Sequence, residues 1–131
     1  MKKLLYLLFA ITLLGCGSDD DSSDSPLVGT WQLVSIKENG IPIHNECDLE
    51  NNITLLEGNT GTYFEYYNWQ NTKPCELIET YDLIWSNGTS DSKYNITIEG
   101  DISIFTLNGD TLEYSFENGN GVITTEEFRR N

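Results

Sequence analysis

Positive charge is scarce in this chain: 7 Lys+Arg stand against 21 Asp+Glu, a formal net charge of −14 over 131 residues. A surface this acidic repels nucleic-acid phosphates and anionic lipid headgroups, which excludes a nucleic-acid partner. Histidine is scarcer still. His44 is the sole one, so there is no HxxH zinc pattern, and no serine or cysteine stands in a motif with a placed base. No turn matches a calcium-loop consensus. The chain therefore reads as a non-enzyme without metal or cofactor. Long apolar runs are also missing. Leu4 to Leu14, "LLYLLFAITLL", is eleven residues without a charge, about 16 Å as a helix against the roughly 30 Å a stable membrane span must cross. Helical apolar spacing is absent after residue 26, where at most a short helix fits "HNECDLENN", residues 44 to 52.

What is present begins with an address. Met1-Lys2-Lys3 and the short apolar run have the form of a signal peptide, with no polar face that a buried helix could show to solvent. Leu13-Leu14-Gly15-Cys16 then resembles a bacterial lipobox. The resemblance implies cleavage after residue 15, acylation of Cys16 (palmitate among the candidate chains) and attachment to a membrane through that N-terminal lipid. At ~0.8 kcal/mol per buried methylene, two or three acyl chains hold essentially for good where one does not. Removing residues 1–15 takes away Lys2 and Lys3 and no acid, which moves the formal charge from −14 to about −16.

Residues 16–26 follow as a tether. "GSDDDSSDSP" offers no apolar side chain before its closing proline, so burial cannot offset the entropy of ordering it. Ser18, Asp19, Asp20 and Asp21 resemble the acidic export tract that some double-membraned bacteria place behind the lipidated cysteine. That reading implies an outer-membrane lipoprotein facing the medium; a plain solvated spacer, with the domain facing the periplasm, is the alternative. Both place the rest of the chain outside the cytoplasm. In an oxidising compartment the remaining even pair, Cys47 and Cys75, is expected to form a disulfide, whereas a Cys-Cys-His set with His44 lacks zinc spacing.

Residues 27–131 form one domain with period-two patterning. "TYDLIWS" sets Tyr81, Leu83 and Trp85 against Thr80, Asp82 and Ser86; "KYNITIE" and "TLEYSFE" alternate in the same way. Such alternation describes half-buried antiparallel strands. Asn39-Gly40, Asn87-Gly88, Gly100-Asp101 and Asn108-Gly109 punctuate the runs with residues that tolerate positive φ. Eight strands result, near 28–37, 52–57, 60–67, 78–86, 93–99, 101–107, 110–117 and 122–130. An all-β, eight-stranded antiparallel up-and-down barrel hides every edge; a two-sheet sandwich is the alternative.

The first of these strands opens Gly29-Thr30-Trp31, the "DTL" of Asp110-Thr111-Leu112 starts a late hairpin, and the chain closes on "EEFRR". Together these features resemble the small bacterial lipocalin-like domain over about residues 27 to 130. The resemblance implies that Trp31 plugs one barrel end beneath an arginine of the last strand, Arg129 or Arg130, with Gly29 at the bend.

Function is then a matter of what the interior holds. The inward candidates are Phe64 or Tyr66, Tyr81, Leu83, Trp85, Tyr94, Ile96, Ile98, Leu112, Tyr114 and Phe116. They either fill the barrel, leaving a structural or interaction module of the envelope, or leave a shallow pocket for a small hydrophobic or amphipathic ligand lined by Tyr66, Tyr81, Trp85, Tyr94 and Tyr114. "YFEYYNW", residues 63 to 69, reads as core and rim before it reads as a sugar-stacking platform. Glu65, Glu126 and Glu127 could meet across strands, but strand carboxylates usually face water.

Overall fold

The computed structural model describes residues 25–131. The leader, Cys16 and the tract Ser18–Asp21 lie outside the described residues. The described residues form nine strands: β1 (Gly29–Glu38), β2 (Ile41–Pro42), β3 (Asn52–Leu56), β4 (Thr60–Tyr67), β5 (Glu76–Asn87), β6 (Lys93–Ile98), β7 (Asp101–Asn108), β8 (Thr111–Glu117) and β9 (Ile123–Arg130). All pairings are antiparallel between chain neighbours, and β1 pairs with both β3 and β9. Leaving aside the two-residue β2, which only extends β1 around the Asn39-Gly40 turn, eight strands close an up-and-down barrel. The sandwich is thereby ruled out.

The strands form where alternation and turn chemistry agree. Asn39 and Gly40 take φ of 47° and 83°, the pair of positive values that a two-residue hairpin turn needs. One turn is displaced by a residue. Ile98 pairs with Asp101, so Glu99 and Gly100 make the corner, and Glu99 adopts φ 53°. The expected short helix shrinks to one 3-10 turn at Asp48–Glu50.

Two ends of the cylinder differ. At the closed end lie the hairpins after β3, β5 and β7, the start of β1 and the finish of β9. Around it packs a continuous core of Leu27, Trp31, Leu33, Ile53, Leu55, Leu83, Trp85, Tyr94, Ile96, Phe105, Leu112 and Phe128, each 6 % exposed or less. At the open end lie the segments 39–51, 68–75, 99–100 and 118–122.

The wall is incomplete near the open end. β3 pairs with β1 only from Gly29 to Gln32, so β1 beyond that point has no strand on this side. The segment before β3 fills the gap: Leu33 N donates to Asn51 O at 2.9 Å and Ile43 N to Ile36 O at 2.9 Å. Across the gap, Tyr66 N of β4 donates to Asn51 Oδ1 at 2.7 Å. Asn51 is 7 % exposed. It stitches β1 to β4 with its carbonyl on one side and its amide on the other, giving buried backbone groups the partners they require.

Candidate functional site at the open end of the barrel

The closed end shows why the site must lie elsewhere. Trp31 is fully buried and its indole N–H donates to Leu27 O at 2.9 Å. Arg130 lays its guanidinium 4.2 Å from the Trp31 ring centroid and donates to Val28 O at 2.7 Å and to Pro26 O. Arg129 does not share this role. It faces outward and pairs with Glu127 at 3.2 Å, because adjacent strand residues face opposite sides and Phe128 beside it points into the core. Gly29 is needed for contact as much as for bending: its φ is +143°, and a Cβ there would lie 2.6 Å from the Arg130 guanidinium. Pro26, at the end of the expected tether, is thus part of the fold, and Ser25 accepts from Val28 N at 2.9 Å.

The candidate pocket residues separate into three places. Trp85 and Tyr94 belong to the closed-end core, edge-to-face at 6.4 Å, with the Trp85 indole N–H between Leu56 O and Thr60 O. Neither lies at the open end, and Tyr94 borders only a cleft outside the closed end. Tyr66, offered as inward with Phe64 as its alternative, is on the outer face, as is Phe64. Gly61 pairs with Leu83 and Tyr63 with Tyr81, so the inward set on β4 is Gly61, Tyr63 and Glu65. Shifting a strand's register by one residue exchanges its faces. Only Tyr81 and Tyr114 remain at the open end.

There they join groups that the alternation pattern did not single out. Tyr63 and Tyr81 stack with ring centroids 6.0 Å apart. The Tyr81 hydroxyl donates to Glu79 Oε2 at 2.8 Å and lies 3.3 Å from Glu65 Oε2. Glu65 and Glu79 are direct cross-strand partners, a like-charge pairing that strands ordinarily avoid. The shared hydroxyl proton softens it. That bond to Glu79, then burial and the two carboxylates, holds the Tyr81 hydroxyl well above the usual tyrosine range. Burial, followed by the charges of Glu126 and Glu65, does the same to Tyr63.

Glu126 points inward from β9, opposite Tyr114 on β8 and Ile36 on β1. Burial, and secondly the nearby Asp48 carboxylate, raises its pKa above the ordinary glutamate value. The expectation that strand carboxylates face water holds for Glu127 and fails for Glu65 and Glu126. The signal was available: Glu126 alternates with Phe128 on the face that Leu112 and Phe105 also share. No ion pair among the described residues involves Glu65, Glu79 or Glu126.

Aromatic rings lead from this acidic mouth down to the core. Phe116 stacks on Tyr114 at 5.3 Å and Tyr114 on Phe105 at 5.0 Å, passing from a 40 % exposed ring to a 4 % exposed one. The rim is fixed on one side. Cys47 and Cys75 form a disulfide between the segment ahead of β3 and the β4–β5 loop. Lys73 pairs with Glu50 at 2.5 Å across the same two segments, and Gln32 Nε2 donates to Leu49 O at 2.5 Å. His44 serves structure, with Nδ1 accepting from Ile36 N at 3.3 Å.

A cleft of about 510 Å³ lies outside the closed end, between Ser25-Pro26 and the turn Asn87–Asp91. Among the described residues, Asp91 is the one charged residue in its lining. The open end, by contrast, gathers carboxylates and rings inside the barrel.

No curated protein and no solved structure matches the chain significantly. The family described as the lipocalin-like domain matches residues 27–128. That span begins at the leucine whose carbonyl accepts the Trp31 indole N–H and ends at Phe128, a buried core residue of the last strand. With the closed eight-stranded barrel, it establishes that the chain belongs to the lipocalin-like domain family.

Proposed function

We propose that the protein is an envelope lipoprotein whose barrel takes a small amphipathic molecule at its open end. The observation that carries this reading is the division of the interior. Large side chains fill the closed half, so a deep calyx is absent there. Above them an aromatic stair, Phe105-Tyr114-Phe116, rises beside carboxylates with no cationic partner among the described residues. An apolar segment lies along the rings, and a cationic or hydrogen-bond-donating end meets Glu126, Glu65 and Glu79. Fatty acids, with a carboxylate of their own, are disfavoured by the same charges.

The test is a titration of the barrel with a neutral environment-sensitive dye such as N-phenyl-1-naphthylamine. Saturable fluorescence that dodecyltrimethylammonium displaces better than dodecanoate supports the reading. A flat titration favours the alternative, a structural or interaction module with a filled barrel, for which the packed closed half speaks.

Anchoring through Cys16 and export through Ser18–Asp21 belong to the same proposal, supported by the lipobox-like order of lysines, apolar run, glycine and cysteine. Cys16→Ala should move the protein from membranes to soluble fractions. Replacing Asp19, Asp20 and Asp21 with alanine should shield it from external protease. Persistence in the membrane pellet would reject lipidation, and unchanged protease access would reduce the tract to a spacer.

A further inference from the structure

We propose that the tip of the β4–β5 hairpin is a carbohydrate-binding platform built on Trp69. It shares no residue with the mouth described above and stands independently of any ligand there. Of the three tryptophans, Trp31 and Trp85 are buried with their indole N–H groups bonded, while Trp69 is 80 % exposed. Among the described residues Trp69 makes no ring contact and its N–H no hydrogen bond. An indole left in water forgoes the large burial that tryptophan normally provides. Tyr67, 48 % exposed, and Ile78, 52 % exposed, flank it.

These three side chains border a cleft of about 390 Å³ whose remaining lining is Asn68, Gln70 and Glu76. The polar three divide their work. Asn68 is spent on the loop itself: its Nδ2 donates to Pro74 O at 2.7 Å and its Oδ1 accepts from Gln70 N at 2.9 Å. The Gln70 amide and Glu76 carboxylate have no partner among the described residues. The loop is held from outside too, by the Cys47–Cys75 disulfide and by Lys73, which pairs with Glu50 and whose N–H donates to Glu46 at 3.2 Å. Trp69 is therefore carried on a fixed backbone, and a ligand has little ordering entropy to overcome.

The chemistry that fits is that of a neutral sugar ring. A pyranose has a C–H face that stacks on an indole and an edge of hydroxyls that a planar carboxylate and amide can bracket. An anionic ligand would meet Glu76 and a net charge of −14. A purely apolar ligand would bury Gln70 and Glu76 without partners, which costs the desolvation of both groups. The cleft is at the lower end of the roughly 300–1,000 Å³ common for small-molecule sites, which suits a short oligosaccharide.

The experiment titrates full-length protein, in a polyoxyethylene-ether detergent that carries no sugar, with cellohexaose, xylohexaose, maltohexaose and chitohexaose. Tryptophan emission is the readout, since Trp69 alone of the three is open to solvent. At least one of these probes should shift the emission saturably to the blue. Trp69→Ala should abolish the shift and weaken calorimetric affinity about tenfold or more, Trp69→Phe should retain part of it, and Glu76→Gln and Gln70→Ala should weaken it less. The mouth variant Tyr81→Phe should leave saccharide affinity unchanged. Absence of binding by all four probes, or a Trp69→Ala protein that binds as tightly as its parent, overturns the proposal.

Discussion

Arg130, the last residue of β9, and Gly29, the first of β1, are fitted to each other. The Arg130 guanidinium occupies the space a Cβ at Gly29 would need, 2.6 Å away, while it covers Trp31. The pairing explains why a glycine precedes the plug tryptophan: a side chain there would evict the cation from the ring and would also be strained at φ +143°.

Arg130→Ala should destabilise the barrel by about 2–4 kcal/mol, because it removes the cation over the indole and leaves Val28 O and Pro26 O without their donor. Arg129→Ala should cost about 0.5 kcal/mol or less, the usual worth of an exposed ion pair. Urea denaturation of both variants decides the matter, and equal losses would show that the two arginines share the role.

Asn51→Ala should cost about 1–3 kcal/mol, since Tyr66 N loses its acceptor where the wall is breached between β1 and β4. Hydrogen exchange should show the loss locally, with faster exchange at Tyr66. A variant as stable as the parent would mean that another group closes the gap.

Reduction of Cys47–Cys75 should lower the melting temperature. The bridge closes a loop with a sequence separation of 28, worth about 3–4 kcal/mol in loop entropy. A scan with and without reductant measures it, with a Cys47→Ser, Cys75→Ser double variant as control. An unchanged melt in both would show that Lys73–Glu50 and Gln32 hold the rim unaided.

Glu126 gives a pH prediction. Burial raises its pKa in the folded barrel, so the fold resists the ionised form. Below the ordinary value of about 4.3 the group is neutral folded and unfolded, and there is no penalty. As pH rises through that value and on through the raised one, the penalty grows, then stays constant. Glu126→Gln should accordingly melt higher than the parent near pH 7 and nearly alongside it near pH 3. A gap of the same size at both values would assign the effect to packing.

Much of this architecture could be read from residue order. Alternation in "TYDLIWS", "KYNITIE" and "TLEYSFE" and the Asn-Gly corners marked the strands within a few residues, because a half-buried antiparallel strand leaves a period of two that composition cannot disguise. The face of β4 was misjudged for a physical reason. "TGTYFEYY" carries rings on both parities, Tyr63 inside and Phe64 and Tyr66 outside, so apolarity alone could not say which set pointed inward. The pairing of Gly61 with Leu83 settles it. The mouth was hidden by a sound generalisation: charged strand residues face water unless, as with Glu65 and Glu126, the strand runs past the packed core into an open end. "YFEYYNW" likewise held two environments in seven residues, an interior ring at one end and the bare indole of Trp69 at the other.

The clasp at the closed end also has a mechanical meaning. Arg130 grips the carbonyls of Pro26 and Val28, and Asn131 N donates to Thr30 O at 3.0 Å. A pull on Ser25 is thus passed to the last strand at once and loads the long β1–β9 ladder in shear, in which many bonds must fail together. The cylinder resists traction through its N-terminal end best along the line where that end enters it.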